Sequence, residues 1–397
     1  MSGNRSRPVI PAPVRFDDGA GQFAFRPGTR IAYADPGVAP IAERFCSEIT
    51  RRTGLRVAPV AGRPGPGEPC VRIEPATGDE LGALPAPLGL SPTGDHAADE
   101  RHSLVIDADQ AVVRAAGPAG VARALTTLTQ LLAAAPSGGA RELSLPCGRI
   151  LDAPRYAWRG LSLDLARTFL TLGEVRRVVD LLALYKLNVL HVHLTDDQSW
   201  RLPVGRSAEG PAPDAAYYSG ADLRALVAYA ADRFVTVVPE VDTPGHASAF
   251  VQMHPELNTG RNEVDYEILP GHARHAVWLD PELPATFELI EQVLAGGPRS
   301  SRARISTSAV TSPAGCPTTC TPPTSRGCAA SSARSASARW AGRSRRAPAS
   351  AGTMSSSTGS PAPPFRRPCR RRSERRWTRT SSCRAATSRR PRRQRCL

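Results

Sequence analysis

Acidic, basic and imidazole side chains cluster at three points in the middle of this chain of 397 residues. The first cluster, LSLDLARTF, contains Asp164 and Arg167, and the second, HVHLTDDQSW, contains the adjacent carboxylates Asp196 and Asp197. An arginine offers a planar fork of donors for hydroxyl groups, and a carboxylate accepts hydrogen bonds from the same groups. Together with the third cluster, PEVDTPGH, these residue types predict a site for a polar ligand.

The remaining candidates are Glu240, Asp242 and His246 in PEVDTPGH, and Trp200 in HVHLTDDQSW. An imidazole at the end of a strand can bind a ligand or tune a neighbouring acid. A tryptophan beside carboxylates suits stacking on a sugar ring, and ordinary packing explains it equally well. Glu240 is open to two interpretations, as a site residue or as a buried partner of an arginine or histidine.

Several of these residues can also be explained by structure alone. Asp164 can pair with Arg167 or cap a loop, and Asp197 is expected to be structural, because two adjacent carboxylates seldom both face one ligand. His191 and His193 share one face of an alternating run, so a core histidine and a site histidine are equally compatible with the pattern. The meaning of each residue therefore depends on the fold that brings the clusters together.

Strand and helix patterns alternate from residue 157 onward. Strands are predicted at 160–165, 188–194 and 235–240, and helices at 174–187, 222–233 and 284–295. Each polar cluster falls at the end of a strand, which is where a parallel α/β barrel builds its active site. An open doubly wound sheet gives the same alternation, so periodicity leaves both architectures open.

Residues 8–150 are predicted to form a separate, small α/β domain. Apolar residues at helical spacing indicate helices at 39–54 and 118–134, the second with a proline near its start. Two β-rich runs at 103–107 and 111–115 flank a polar turn.

Two longer runs contain all three clusters: RGLSLDLARTFLTLGEVRRVVDLLALYKLNVLHVHLTDDQSWRL and VPEVDTPGHASAF. Both resemble glycoside hydrolase family twenty, the β-N-acetylhexosaminidases. The resemblance extends over residues 8–296 and implies a small N-terminal α/β domain followed by the first part of a (β/α)8 TIM barrel. It implies a hydrolase that removes terminal non-reducing β-linked GlcNAc or GalNAc from glycans or chitooligosaccharides.

The resemblance also implies roles for individual residues. Arg167 is expected to bind hydroxyls of the terminal sugar, and Asp196 to contact the same sugar. Asp242 and His246 are expected beside the catalytic pair, and Thr168 is a departure because the family usually has histidine there. The other supporting residues are Asp164, Glu240 and Trp200.

Catalysis in that family is assisted by the substrate, which is an exception to the usual scheme of two carboxylates. The sugar's acetamido oxygen attacks the anomeric carbon, an aspartate orients the acetamido group, and the adjacent glutamate acts as general acid and then as base. The pair belongs to a His-x-Gly-Gly-Asp-Glu-like motif after the fourth strand. No metal or organic cofactor is implied.

This sequence has no such motif where it is expected and reads Ile-Ser-Thr-Ser-Ala-Val-Thr-Ser at 305–312. The genetic code allows these residues to be written ATC TCC ACA TCG GCG GTG ACG AGC, when the third bases and the serine codon class are chosen to fit. Read from the third base, this choice of codons encodes Leu-His-Ile-Gly-Gly-Asp-Glu, with the acidic pair near Thr311 and Ser312. We therefore interpret the chain as an incomplete barrel over 151–297, followed by an out-of-frame tail over 298–397 that contains no catalytic residue.

Composition changes at the same point. The formal net charge is +15, but residues 1–300 contain 29 Lys and Arg against 35 Asp and Glu, whereas residues 301–397 contain 22 Arg against one acid. The tail also has one Ile, one Val and one Leu, so we expect it to be disordered. G+C-rich DNA read out of frame explains both the arginines and the loss of acids.

Other functions fit the sequence less well. A basic tail attracts nucleic acid, but this one has three aromatic residues and no recognisable binding motif, so no specific nucleic-acid partner is expected. A non-catalytic carbohydrate-binding remnant is the second alternative, although three βα units cannot close a barrel. A chitinase would require a D-x-x-D-x-D-x-E pattern, which is absent.

Two further expectations concern the location of the protein in the cell and its ability to fold. The polar start shows no signal peptide, and no run is long enough to span a membrane, so we expect a cytoplasmic protein without membrane partners. We also expect poor folding, because the third strand and its neighbours would leave open, apolar sheet edges.

Overall fold

The computed structural model of the chain describes residues 8–65, 67–76, 78–92, 99–135, 142–203, 216–269 and 272–296. The predicted tail, including Thr311 and Ser312, lies outside the described residues. No helix among the described residues combines the length and apolar character that a membrane crossing requires.

The N-terminal domain is built on one mixed sheet of seven strands. Its strands are β1 (Arg15–Phe25), β2 (Arg30–Tyr33), β3 (Ala58–Ala61), β4 (Cys70–Pro75), β5 (His102–Ile106), β6 (Gln110–Ala115) and β7 (Leu143–Asp152). They lie in the order β1-β7-β5-β6-β4-β2-β3, with β3, β2, β4 and β6 parallel and the others antiparallel. Its helices are α1 (Ala39–Thr53), α2 (Gly78–Leu81) and α3 (Pro118–Ala134).

Helices α1 and α3 pack against each other and bury their apolar faces in a core with the sheet. The predicted helix at 118–134 is confirmed over the same residues, with Pro118 at its first position. Helix α1 ends one residue before its predicted end, because Gly54 adopts φ 74° and its N–H caps the carbonyl of Thr50.

The second part of the chain alternates strands and helices. Its strands are β8 (Gly160–Asp164), β9 (Val189–His193), β10 (Thr195–Asp196), β11 (Ser199–Trp200), β12 (Thr236–Glu240), β13 (Glu263–Leu269) and β14 (His272–Val277). Its helices are α4 (Leu172–Leu184), α5 (Gly220–Ala231), α6 (Ser248–Met253) and α7 (Pro284–Gly296). Strands β8, β9 and β12 form a parallel sheet in chain order, which is the arrangement of three successive βα units.

Both crossover helices begin earlier than the apolar pattern predicts. Thr171 and Glu174 form a capping box at the start of α4, and Ser219 and Asp222 form another at the start of α5. Each box satisfies backbone N–H groups that the helix itself cannot pair. The hairpin of β13 and β14 was not predicted from the sequence.

Exposure of apolar strand residues differs from the prediction. Leu161 on β8 is 42% exposed, whereas the first four residues of β12, the predicted open edge, are buried. Val237 of β12 belongs to the core shared by α4, α5 and α7, which covers this strand. The apolar edge is therefore on β8, and the poor folding that we expected stays a prediction.

A buried charge cluster joins the two domains. Glu100 precedes β5 and accepts hydrogen bonds from Arg123 of α3 (2.5 Å) and from Arg159 beside β8 (2.7 Å). Arg123 also donates to the backbone carbonyl of Phe234, just before β12 (3.2 Å). The side chains of the three charged residues are 3–13% exposed, so the two guanidinium groups share a single buried carboxylate as their counter-charge.

Replacing Glu100 tests how strongly this cluster holds the domains. In Glu100→Gln two buried guanidinium groups lose their counter-charge, which we expect to lower the free energy of unfolding by about 3–5 kcal/mol. The control Glu43→Gln removes the same charge from the exposed face of α1 and should stay within about 0.5 kcal/mol. Urea unfolding followed by circular dichroism measures both, and equal effects would contradict the assignment.

Candidate active site

Three charged residues lie side by side at the carboxyl ends of the parallel strands. The strand register pairs Asp164 of β8 with His193 of β9, and His193 with Glu240 of β12. Paired residues of neighbouring strands point to the same face of a sheet, so the three side chains form one row. The row lies at the edge where a parallel α/β barrel builds its site.

Glu240 lies between two histidines. Its Oε1 is 3.1 Å from His193 Nδ1, and its Oε2 is 2.8 Å from His191 Nε2. The side chain of Glu240 is 12% exposed. Of the two interpretations that the sequence left open, the structure favours the buried partner of histidine, and it brings both histidines of β9 to the same carboxylate.

Asp196 is the centre of the site. Its side chain is 1% exposed, and Oδ2 contacts Arg167 Nη2 and lies 2.9 Å from His193 Nε2. The other oxygen, Oδ1, accepts a hydrogen bond from the backbone N–H of Asp197 (2.7 Å). Arg167 also donates to Asp164 Oδ2 (2.6 Å), and its side chain is 50% exposed. The structure thus brings Arg167, Asp196 and Asp164 together in one network.

The network fixes the protonation of its members. The hydrogen bond to Asp196, together with the negative charge of Glu240, outweighs burial and raises the pKa of His193 to about 9. Burial acts to raise the pKa of Asp196, but the bonds from His193 and the Asp197 N–H, with the charge of Arg167, hold it below its ordinary value. At neutral pH the pair is therefore an imidazolium and a carboxylate.

Asp242 and His246 lie on the loop after β12 and reach the same cluster. Burial and the negative charge of Glu240 raise the pKa of Asp242 to about 6, against the opposing charge of His193. His246 has φ 55°, which is uncommon for a residue other than glycine, and its Nδ1 lies 3.3 Å from Asp196 Oδ1. Both residues therefore lie beside the first two clusters, whereas the catalytic pair that the resemblance places next to them falls outside the described residues.

Trp200 is a correction. We counted it as a supporting site residue that could stack on a sugar, but it is 4% exposed and its ring lies 4.3 Å from that of Phe250. Trp200 belongs to the same hydrophobic core as Val237, which packs against α4, α5 and α7. The packing interpretation of Trp200 is therefore the right one. Asp197 is structural as expected: Oδ1 accepts hydrogen bonds from the hydroxyl of Ser248 (2.6 Å) and from its N–H (3.2 Å) at the start of α6.

The sequence did not reveal the residue that holds the loop of Arg167. Arg201 follows Trp200 directly and donates to the carbonyls of Leu165 (3.1 Å) and Ala166 (2.9 Å). These bonds fix the backbone just before Arg167. The available signal was the arginine that ends TDDQSWR, which no rule of spacing singles out from other arginines.

Two sets of side chains have the composition of metal ligands: His193, Asp196 and Asp242, and Asp196, Asp197 and His246. Histidine binds a metal in its neutral form. A pKa of about 9 keeps His193 protonated at neutral pH, and Arg167 already occupies Asp196. In the structure His193 and Asp196 of the first set already form an ion-pair network with Arg167.

The pKa of His193 is directly testable. Because it is raised in the folded state, the group stabilises the fold fully below its ordinary value of 6.5, and this contribution is lost as the pH rises through about 9. In Asp196→Asn the pKa should fall, whereas the control Asp265→Asn, which removes an exposed carboxylate from the β13 hairpin, should leave it unchanged. Titration of the His193 ring proton by NMR measures it, and an unchanged pKa in Asp196→Asn would refute the network.

Comparison with known proteins agrees with this geometry. Residues 6–153 match "Glycosyl hydrolase family 20, domain 2", and residues 156–296 match "Glycosyl hydrolase family 20, catalytic domain". A β-N-acetylhexosaminidase from Cellulomonas fimi is 38% identical over 208 residues, which are 50% of this chain and 40% of that protein. An N,N′-diacetylchitobiase from Vibrio harveyi is 31% identical over 210 residues, or 45% of this chain and 23% of that protein.

Solved structures give the same answer. A mutant β-hexosaminidase from Streptomyces plicatus, in complex with the product GlcNAc, aligns with a TM-score of 0.57 and 30% identity. The alignment covers 74% of this chain and 57% of that chain. This chain therefore spans less than two thirds of the length of that relative, and the same holds for the Cellulomonas fimi protein. Of the two architectures that periodicity left open, this structural similarity supports the partial (β/α)8 barrel and not the open doubly wound sheet. With two domain matches over residues 6–153 and 156–296, the chain belongs to glycosyl hydrolase family 20.

Proposed function

We propose that the chain derives from an exo-acting β-N-acetylhexosaminidase, which removes terminal non-reducing β-linked GlcNAc or GalNAc from glycans or chitooligosaccharides. The observation that carries the proposal is the arrangement around Arg167. Two of its nitrogens are held by Asp164 and by the buried Asp196, while half of the side chain stays exposed at the carboxyl edge of the strands. A guanidinium fixed in this way can present its remaining donors to sugar hydroxyls.

In the proposed reaction Arg167 holds the terminal sugar. Asp196 was expected to contact the same sugar, but its side chain is 1% exposed and its oxygens are engaged within the protein, so it acts by fixing Arg167. Asp242 and His246 support the catalytic pair. The acetamido group of the substrate supplies the nucleophile, so the protein has to orient that group and provide a general acid. Asp242 lies against Glu240 and close to the charge of His193, and its pKa is raised to about 6. It can therefore change its protonation when the charge of the substrate beside it changes during the reaction.

We further propose that the chain as written is inactive, because the aspartate and glutamate of the motif are missing. The match to the catalytic domain stops at residue 296, a few residues before the segment at 305–312 that can encode the motif in another frame. This coincidence of position supports a frameshift. The segment itself lies outside the described residues.

A non-catalytic carbohydrate-binding remnant is the second candidate. It is favoured by the half-exposed Arg167 and by Asp164, whose side chain is 39% exposed. Against it, three strands supply only part of the wall that surrounds a sugar in a closed barrel.

Restoring the frame tests the proposed activity. A one-base correction between codons 297 and 305 should yield a protein that hydrolyses p-nitrophenyl N-acetyl-β-glucosaminide, whereas the present chain should be slower by about a thousandfold or more. The loss is large because general acid catalysis and acetamido orientation disappear together. Initial rates for both proteins, purified in parallel, make the comparison.

A variant at Arg167 shows whether the measured hydrolysis comes from this protein or from a contaminating enzyme in the preparation. In the restored protein, Arg167→Lys keeps the charge but loses the fork, so kcat/KM should fall by about tenfold or more. Arg177→Lys makes the same change at an exposed position on α4 and serves as the control. Turnover by the present chain that matches the restored protein would overturn the inactivity, and a restored protein without turnover would overturn the proposed function.

A further inference from the structure

Three side chains that can bind a metal ion converge where the loop after β12 meets the turn between β10 and β11. His246 Nδ1 lies 3.3 Å from Asp196 Oδ1 and 3.4 Å from Asp197 Oδ2. All three atoms lie within 4.8 Å of one another. The histidine is about fifty positions away from the aspartates in the chain, so the fold creates this arrangement.

The Nδ1 atom of His246 is not satisfied by these oxygens. It is buried and forms no hydrogen bond with the residues that the structure describes, although both carboxylates are close. A typical N–H···O hydrogen bond spans about 2.9–3.0 Å, which is shorter than either distance. Two ligands that share a tetrahedral zinc ion at about 2.1 Å lie roughly 3.4 Å apart. The observed spacing therefore suits a shared cation better than a hydrogen bond.

Each aspartate can give one oxygen to an ion without losing its present contacts. The ion pairs described above hold Oδ2 of Asp196, whereas Oδ1 accepts a hydrogen bond from the N–H of Asp197 and keeps a second lone pair. Asp197 Oδ1 accepts the hydrogen bonds from Ser248, which leaves Oδ2 on the side of His246.

The charge around these ligands also favours a cation. Carboxylates outnumber the cations Arg167 and His193 in the surrounding network, since the carboxylates are those of Asp164, Asp196, Asp197, Glu240 and Asp242. Burial and the negative charge of Glu240 raise the pKa of Asp242 to about 6, against the opposing charge of His193. A bound divalent ion would offset this excess of negative charge.

We infer that Asp196, Asp197 and His246 bind a divalent transition-metal ion of the Zn²⁺ class. One imidazole and two carboxylates are ligands that zinc takes, and three protein ligands leave a fourth position for water. The imidazole selects against Mg²⁺ and Ca²⁺, which prefer oxygen ligands. An ion can enter beside His246, whose side chain is 35% exposed. Metal binding does not depend on the proposed glycosidase activity, because it requires no catalytic acid.

Calorimetric titration of the full-length protein with ZnCl₂ tests this site. Accessible thiols are first alkylated with iodoacetamide, because six of the nine cysteines lie beyond residue 300 and thiolates bind zinc. Zn²⁺ should bind, and Mg²⁺ at the same ionic strength should give no response. His246→Gln and Asp197→Asn each remove one of three ligands, so each should weaken the Zn²⁺ Kd by about tenfold or more. Asp197→Asn keeps an oxygen that can accept the hydrogen bonds from Ser248.

His275→Gln is the matched control, because His275 also lies beside two carboxylates. They face different ring nitrogens on the exposed β13 hairpin: Nδ1 is 2.9 Å from Asp265, and Nε2 is 3.9 Å from Glu263. One ion cannot bind both nitrogens of a ring, so the Zn²⁺ Kd should stay unchanged in this variant. The tail is present in every variant, so any remaining attraction of the tail for zinc cancels in the comparison.

Absence of Zn²⁺ binding, or the same Zn²⁺ Kd in His246→Gln and His275→Gln, would overturn the inference. Equal binding of Mg²⁺ and Zn²⁺ would also overturn it, because attraction by charge alone would then explain the result. Residues 1–296 are identical in the frame-restored protein, so the titrations are made there if the present chain lacks a cooperative thermal transition. A restored protein that binds Zn²⁺ but shows no turnover would contradict the proposed function and support the metal site.

Discussion

The carboxylate of Asp196 is 1% exposed, and the arrangement of the site follows from the need to compensate its charge. A buried carboxylate without partners is destabilising by several kcal/mol. Its partners come from three separate strand ends: Arg167 after β8, His193 on β9 and His246 after β12. Compensation of one charge thus holds three βα units in a fixed relation, and the same contacts leave Arg167 facing outward.

The sequence predicts those parts of the fold and of the site that depend on residues close together in the chain. Helix 118–134 and the three parallel strands follow from periodicity, and the gathering of Arg167 and Asp196 follows from their position after successive strands. The contact between His193 and Glu240 depends on register, which no spacing in the sequence reveals. Trp200 was misassigned because its burial depends on Phe250, fifty positions away in the chain. The cluster around Glu100 was missed for the same reason, since its partners are distant in sequence.

We propose that the described part of the chain contains the binding half of a family 20 site and that the general acid of this site is missing. That division coincides with a change in physical character along the chain. Up to residue 300 acids slightly outnumber bases, as in an ordinary globular protein, and beyond it arginine dominates and large apolar residues nearly vanish. The change of reading frame that we propose, in G+C-rich DNA, would account together for the composition, for the end of the family match and for a motif that the codons of 305–312 can spell in another frame.

The most direct test of this account is the genomic DNA sequence across the codons for residues 290–315. The account predicts that the codons for 305–312, read from the third base, spell Leu-His-Ile-Gly-Gly-Asp-Glu, with a one-base insertion or deletion shortly upstream. A serine codon of the AGC class at Ser308, which would remove the Ile-Gly pair from the shifted frame, or any codon set that spells no such motif in another frame, would contradict it.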